Sequence, residues 1–277
     1  METEQITIQQ VDDIQTIYQQ DKAVVDVQIS TAKAYPRSIK KALDNSMIIV
    51  TMDEETASSC TYSLPRGGKS VTGPTVHLAK ILAQNWGNLR IEAKVVAIES
   101  KHITSQAIAF DLENNLAIKV EVKRSIMTKN GRMNDDMITV TGNAANAIAL
   151  RNAVLSVIPK AIVDKVYSEA KKKITGDVSD KTKLMAKRKQ VFEALKETYS
   201  LTEQEILFAI GKAAIDHVNQ DDIVTLIGIG TAIKDGDTTV EMAFKKQKST
   251  IVTAMKESNV EPIKLKKEKE ENKLNLD

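Results

Sequence analysis

The chain has 277 residues, enough for one large domain or a main domain with a satellite, and its apolar content is sufficient for a packed core. It contains no apolar run of about 18 residues, the length that a membrane-spanning helix needs. The polar N-terminus does not have the pattern of a signal peptide, and a single cysteine, Cys60, excludes an internal disulfide. We therefore expect a cytoplasmic protein that has no membrane partner.

The formal net charge of +2 hides an uneven distribution. Residues 151–190 carry 11 Lys and Arg against 4 Asp and Glu, whereas residues 200–244 carry 2 against 8. A basic segment followed by an acidic one is common in proteins that bind nucleic acid with one part and another protein with the second. The same pattern fits a solvated helix face beside an ordinary acidic module equally well.

The N-terminal quarter is predicted to mix strands and helices. Residues 24–30 (VVDVQIS) and residues 47–52 (MIIVTM) have the composition of strands, and residues 38–45 are predicted to form a helix capped by Ser38. Residues 53–73 are rich in loop formers. Residues 75–86 form an amphipathic helix that Thr72 or Thr75 can cap, and Gly87-Asn88 ends it. Trp86 lies on this helix as a core residue or, alternatively, as a base-stacking platform.

The middle of the chain predicts a β-meander. Residues 89–99, 102–112 and 116–126 alternate apolar and polar side chains, as strands with one buried face do, and short loops join them. A helical run follows over residues 144–158, with Ile148, Leu155 and Ile158 toward the core, and it is interrupted at Pro159. Residues 111–113 (DLE) are interpreted as a solvated hairpin tip. The fold class is therefore α+β, a three-stranded antiparallel β-meander packed by helices (a β-β-β-α core) with a small helical C-terminal unit.

Four segments follow from this pattern: a core domain at 1–175, a basic helical connector at 176–200, an acidic helical module at 201–250 and a disordered charged tail at 255–277. In the connector, a turn at 176–180 precedes a helix at 181–199, which Ser179 or Asp180 caps. In the acidic module, Thr202 and Glu205 form a capping-box pattern, and residues 221–231 form a second helix. We expect DNA binding to survive removal of this module and of the tail in a chain that ends near Lys196.

The sequence offers no convincing catalytic or cofactor motif. Gly68-Lys69-Ser70 resembles the end of a P-loop, but Ser63 stands where the pattern requires its first glycine, so we expect no nucleotide hydrolysis. His77, His102 and His217 lack metal-ligand spacing, and Cys60 is interpreted as packed. We predict a protein that is not an enzyme and binds no cofactor or metal.

Three segments resemble phage single-strand DNA annealing proteins, the broad group of RecT, Red-beta, Erf and the Rad-type annealing proteins. They are Ser63–Lys69 (SLPRGGK), Gly73-Pro74 with Trp86-Gly87-Asn88, and 138–173, in which TGNAANA at 141–147 and RNAV at 151–154 weigh most. The resemblance covers residues 47–175. It implies a phage protein in the cytoplasm of the host cell that binds single-stranded DNA without ATP and anneals complementary strands in recombination and repair. It also implies a homo-oligomer, a ring or filament, with a basic groove beside the meander. The C-terminal module would dock a single-strand binding protein or an exonuclease.

Cations of the core domain are the candidate DNA contacts, because Lys and Arg neutralise phosphates and release counterions. The set comprises Arg66, Lys69, Lys80, Arg90, Lys123, Arg124, Lys129, Arg132, Arg151, Lys160, Lys171, Lys172 and Lys173. Arg151 and Lys160 are singled out because they lie next to the apolar face of the predicted helix. Arg151 either pairs with a carboxylate such as Asp111 or Glu113, or points into the groove.

Two alternative functions remain open. One is a phage structural or scaffolding protein, which would also form oligomers and carry a charged tail. The other is a metal-dependent recombination nuclease, for which Asp135-Asp136 would supply half of a site but no Glu-x-Lys pattern follows.

Overall fold

The structure, a computed structural model, describes residues 19–66, 69–176 and 181–245. Its N-terminal part is more helical than predicted. Residues 19–34 form helix α1, and helices α2 (Ile39–Val50) and α3 (Glu54–Ser59) follow. Strands β1 (Thr61–Arg66) and β2 (Lys69–Pro74) make an antiparallel hairpin, and helix α4 (Val76–Trp86) comes next. The predicted cap Ser38 accepts a hydrogen bond from Lys41 N–H, and Thr75 caps α4.

Both strands predicted before residue 53 are wrong, because each segment is helical. Within 24–30, the half-buried residues Val25, Gln28 and Ile29 continue the spacing of a helix face toward the buried Ala32. The run at 47–52 belongs to the helix that Ser38 starts, and a short apolar run does not distinguish a strand from a buried helix turn. The segment predicted as loop-rich instead holds α3, which Asp53 caps, and the β1–β2 hairpin.

The predicted meander is confirmed. Strands β3 (Leu89–Ile98), β4 (His102–Asp111) and β5 (Leu116–Ser125) form a three-stranded antiparallel sheet with β4 in the centre. Alternate residues of β4 are buried, and helix α5 packs across this face against all three strands. Gly142 permits the close approach, since a Cβ there would lie 2.9 Å from Ile103 Cδ1. A small hairpin, β6 (Met127–Thr128) and β7 (Gly131–Arg132), leads from the sheet into α5.

Helix α5 (Asp135–Val157) begins nine residues before the prediction. Asn134 caps it by accepting a hydrogen bond from Met137 N–H, and Asp135 and Asp136 lie in the first turn, where they complement the helix dipole. Helix α6 (Lys160–Thr175) follows Pro159, and the chain bends by 118° between the axes of α5 and α6. In the described part of the chain no single helix is long and apolar enough to cross a membrane, although α5 and α6 together pass that test of length and composition.

The C-terminal part contains helices α7 (Lys181–Tyr199), α8 (Glu203–Ala209) and α9 (Gln220–Lys234), with a 3-10 turn at Ile215–His217 and a π-helical turn at Glu241–Lys245. The predicted capping box of Thr202 and Glu205 is confirmed. The predicted cap at Ser179 or Asp180, and the tail from 255 onward, lie outside the described residues.

Two large hydrophobic clusters and two small ones form the interior of the described part of the chain. The larger one joins α2, α4, α5 and α6 with the helix-facing side of the sheet, and the second joins α7, α8 and α9. Helix α9 also packs closely on β1, and a Cβ at Gly228 would lie 2.9 Å from the backbone nitrogen of Ser63. The second cluster therefore rests directly on the hairpin of the core. A chain that ends near Lys196 would lose the helix that covers β1.

Candidate nucleic-acid interface

A groove runs along α5 and is the candidate site. Its floor is the α5 face that carries Val140, Asn143, Ala147 and Arg151, and it has a volume of about 330 Å³. The start of α4, Tyr62 of β1 and the loop after α9 form its walls. Three segments that are far apart in the chain thus meet at the helix that carries Arg151, one of the predicted DNA-binding cations.

Arg151 lies in this groove. Its guanidinium stacks over the ring of Tyr62, 4.8 Å from the ring centroid, and its Nε donates a hydrogen bond to Asn152 Oδ1 at 3.1 Å. Stacking on an aromatic face holds a guanidinium in place while its remaining N–H groups stay available to a ligand. Arg151 lines the groove, and its contacts are Tyr62 and Asn152 rather than Asp111 or Glu113.

The two carboxylates considered as partners of Arg151 belong instead to Arg37. Arg37 donates to Asp111 and Glu113, and Asn88 also donates to Glu113. Burial alone would raise the pKa of both carboxyl groups, but these hydrogen bonds outweigh it and the pKa of each is lowered. The hairpin predicted at 111–113 is confirmed, because β4 ends at Asp111 and Asp111 pairs with Leu116 of β5, but its solvation is wrong, since Asp111 is 2% exposed.

Trp86 packs in the core against this ion cluster. It is 5% exposed, and Arg37 lies over its ring at 4.8 Å from the centroid. A ring covered in this way has no open face for a base, so the stacking alternative for Trp86 finds no support in the geometry.

The wall formed by the loop after α9 is acidic. Asp235 and Asp237 both line the groove: Asp237 Oδ1 lies 3.4 Å from Arg124 Nη1, and Asp235 Oδ1 lies 3.9 Å from His77 Nε2. Burial raises the pKa of Asp235, and the neighbouring charge of Asp237 adds to this while His77 opposes it. The groove therefore contains two carboxylates and one arginine side chain, that of Arg151.

The other predicted cations do not gather in the groove. On α6, Lys160 pairs with Asp164 at 2.6 Å and its side chain is 84% exposed. Lys172 pairs with Glu169, and Lys171 lies over the ring of Tyr167. Lys173 is half-buried at the end of the same helix. These four residues form a separate, partly neutralised basic strip.

The remaining candidates lie on the sheet and its connections. Arg90 pairs with Glu92 and Lys123 pairs with Glu99. Arg132 donates to backbone carbonyls at the end of β3, while Lys80 on α4 and Lys129 in the β6–β7 turn are exposed. The side chains of Arg66 and Lys69 lie outside what the structure describes, but the backbone places these two residues opposite each other in the β1–β2 hairpin. Since Lys69 and Ser70 are strand residues rather than the start of a helix, the P-loop geometry does not form.

Sequence reasoning missed Tyr62, His77 and the pair Asp235 and Asp237 as residues of the site. Only the acidic balance of residues 200–244 hinted at the carboxylates. In the described part of the chain, no group of three or more His, Cys, Asp and Glu side chains is arranged to hold a metal ion.

Comparison with known proteins adds no relative. No family model matches the chain, and neither a curated protein nor a solved structure does. The resemblance to annealing proteins therefore depends on the quoted residues.

Proposed function

We propose that the protein binds single-stranded DNA without nucleotide and anneals complementary strands, and that it acts by binding rather than by catalysis. The observation that carries the proposal is Arg151, a cation on the long α5 helix that is fixed over Tyr62 and points into a groove. A held guanidinium forms short, charge-assisted hydrogen bonds to phosphate oxygens.

The composition of the groove supports a backbone contact more than a base contact. Tyr62 is the one Phe, Tyr or Trp side chain among the residues that line it, and its ring already carries Arg151; the imidazole of His77, the other ring on the lining, lies beside Asp235. A strand held mainly through its phosphates keeps its base edges free to pair with a second strand, which annealing requires. Phosphate contacts are independent of sequence and weaken as salt rises.

An assembly of several copies would extend a short groove along a strand. The edge strand β3 is suited to such an assembly, because it has no partner on its outer side in the three-stranded sheet and exposes Val95, Val96 and Ile98. We propose a homo-oligomer built on this edge, with the helical C-terminal module as the docking site for a partner protein. The same edge also fits the alternative of a scaffolding oligomer.

The discriminating experiment is annealing of complementary oligonucleotides by the full chain in EDTA and without nucleotide. Annealing above the protein-free rate, with intact DNA, supports the proposal. A scaffolding protein would form oligomers but leave the annealing rate unchanged, and a metal-dependent nuclease would cleave the DNA only when a divalent cation is added.

A further inference from the structure

The acidic loop after α9 forms one wall of the candidate groove. Asp235 reaches the start of α4 through His77, and Asp237 reaches β5 through Arg124, while α5 forms the floor between them. The loop therefore connects the groove in which Arg151 lies with Arg124 on the adjoining strand β5.

Its backbone is fixed by the end of α9 and not by the two ion contacts. Gly236 has a φ of 77°, and the N–H groups of Gly236 and Asp237 donate to the carbonyls of Ile233 and Ala232 at 3.1 and 2.9 Å. This is the hydrogen-bond pattern that closes many helices. Because α9 itself is anchored on β1, the carboxylates can leave their cations by side-chain rotation while the module stays in place.

The contact between Asp237 and Arg124 is the one that a phosphate would have to replace. The side chain of Asp237 is 16% exposed and that of Arg124 is 29% exposed, so the pair is only partly open to water. A carboxylate presents the same kind of anionic oxygen acceptors to a guanidinium as a phosphate does. At 3.4 Å the contact is longer than a strong charge-assisted bond and is therefore suited to exchange.

We infer that Asp237, assisted by Asp235, is an intramolecular competitor of the DNA backbone that holds Arg124 and must release it when a strand enters the groove. This inference rests on the proposed function. The acidic loop then acts as a brake on DNA binding. Only a ligand with several phosphates in register gains enough binding free energy to offset the loss of the contact between Asp237 and Arg124.

The test compares Asp237→Asn with Asp216→Asn in binding to a fluorescent oligo-dT strand. Asp216 lies in the 3-10 turn of the same module and does not line the groove, so the control makes the same change in net charge. We expect Asp237→Asn to raise affinity about three- to fivefold over the control, the top of the range for a partly exposed ion pair. The slope of log affinity against log salt should also steepen. In wild type, DNA binding frees the carboxylate of Asp237, which takes up a cation from solution and so reduces the net release of counterions; Asp237→Asn has no such carboxylate.

The gain must disappear in the background Arg124→Gln, where the competed cation is absent. If wild type binds the oligonucleotide but Asp237→Asn and Asp216→Asn behave alike, the brake is refuted and the proposed function stands. If the affinity gain persists with Arg124→Gln, competition at that cation is also refuted. If the wild type and all three variants fail to bind, the proposed function itself is wrong.

Discussion

The contact between α9 and β1 predicts opposite effects for two alanine substitutions in one helix. A Cβ at Gly228 would lie 2.9 Å from both the nitrogen of Ser63 and the carbonyl carbon of Tyr62, closer than real Cβ atoms approach. A Cβ at Gly230 would meet nothing nearer than 4.0 Å. Both substitutions gain about 1 kcal/mol of helix propensity, so the difference between their free energies of unfolding reports the packing against β1 alone.

At Gly228 the obstacle is backbone. β1 is paired with β2 along its whole length, so it cannot yield as the end of a flexible side chain would. Overpacking of this kind costs about 1–3 kcal/mol, occasionally more. Net of the helix gain, we expect Gly228→Ala to lower the free energy of unfolding by up to about 2 kcal/mol, and Gly230→Ala to raise it by up to about 1 kcal/mol.

Thermal and urea denaturation followed by circular dichroism measure both variants. With about 2–4 °C per kcal/mol for chains of this size, the packing cost of about 1–3 kcal/mol should make the two melting temperatures differ by about 2–12 °C. Equal stability of Gly228→Ala and Gly230→Ala would refute the close docking of α9 on β1.

Three further predictions concern the buried groups of the core. Arg37→Met should lower the free energy of unfolding by about 3–5 kcal/mol in urea titrations, because it leaves the carboxylates of Asp111 and Glu113 without their cation. The pKa values of these two groups are lowered, so the stability that they contribute is complete above their unfolded pKa of about 4 and is lost as the pH falls through the lower folded values. Denaturation midpoints measured between pH 7 and pH 2 should therefore decline less steeply in Arg37→Met than in wild type. Burial raises the pKa of Cys60 to about 11, so a thiol reagent at pH 8 should label the native protein only at the rate of its unfolding, and rapid labelling would contradict the buried position.

The sequence predicted the meander well because each strand has one buried and one wet face. The burial of β4 alternates along its whole length, and the residues show it in the first half, where polar His102, Thr104 and Gln106 alternate with buried positions. In the second half Ile108 and Phe110 lie on the less buried face and Asp111 on the buried one. The same rule failed at 24–30, where the spacing of Val25, Ile29 and Ala32 suits a helix and seven residues are too few to separate the two periods.

The site was predicted only in part, for a different reason. Arg151 was identified because it adjoins the apolar face of one helix, which is local information. Its neighbours come from distant segments: Tyr62 lies 89 positions before it and Asp237 lies 86 positions after it. Likewise, nothing local to Asp111 indicates that Arg37, 74 positions earlier, is its partner. Such pairs are fixed by the way in which whole helices and strands pack, and this packing cannot be derived from the local pattern of a single sequence.

The separability of the C-terminal module stays a prediction, and the fold sharpens its test. A chain that ends near Lys196 removes α9 and uncovers β1, so loss of DNA binding after truncation would not by itself locate the site. Substitutions that leave α9 in place are the cleaner probe.

The most direct measurement is therefore the affinity of Arg151→Ala for single-stranded DNA, compared with Lys160→Ala. Both changes remove one cation, but Arg151 lies in the groove and Lys160 is exposed and paired with Asp164. The account predicts that Arg151→Ala loses about 1–3 kcal/mol of binding free energy, the value of a charge-assisted hydrogen bond. Its stability should fall by no more than about 1 kcal/mol, from the lost stacking on Tyr62. Normal DNA binding by Arg151→Ala, or an equal loss in Lys160→Ala, would contradict the account.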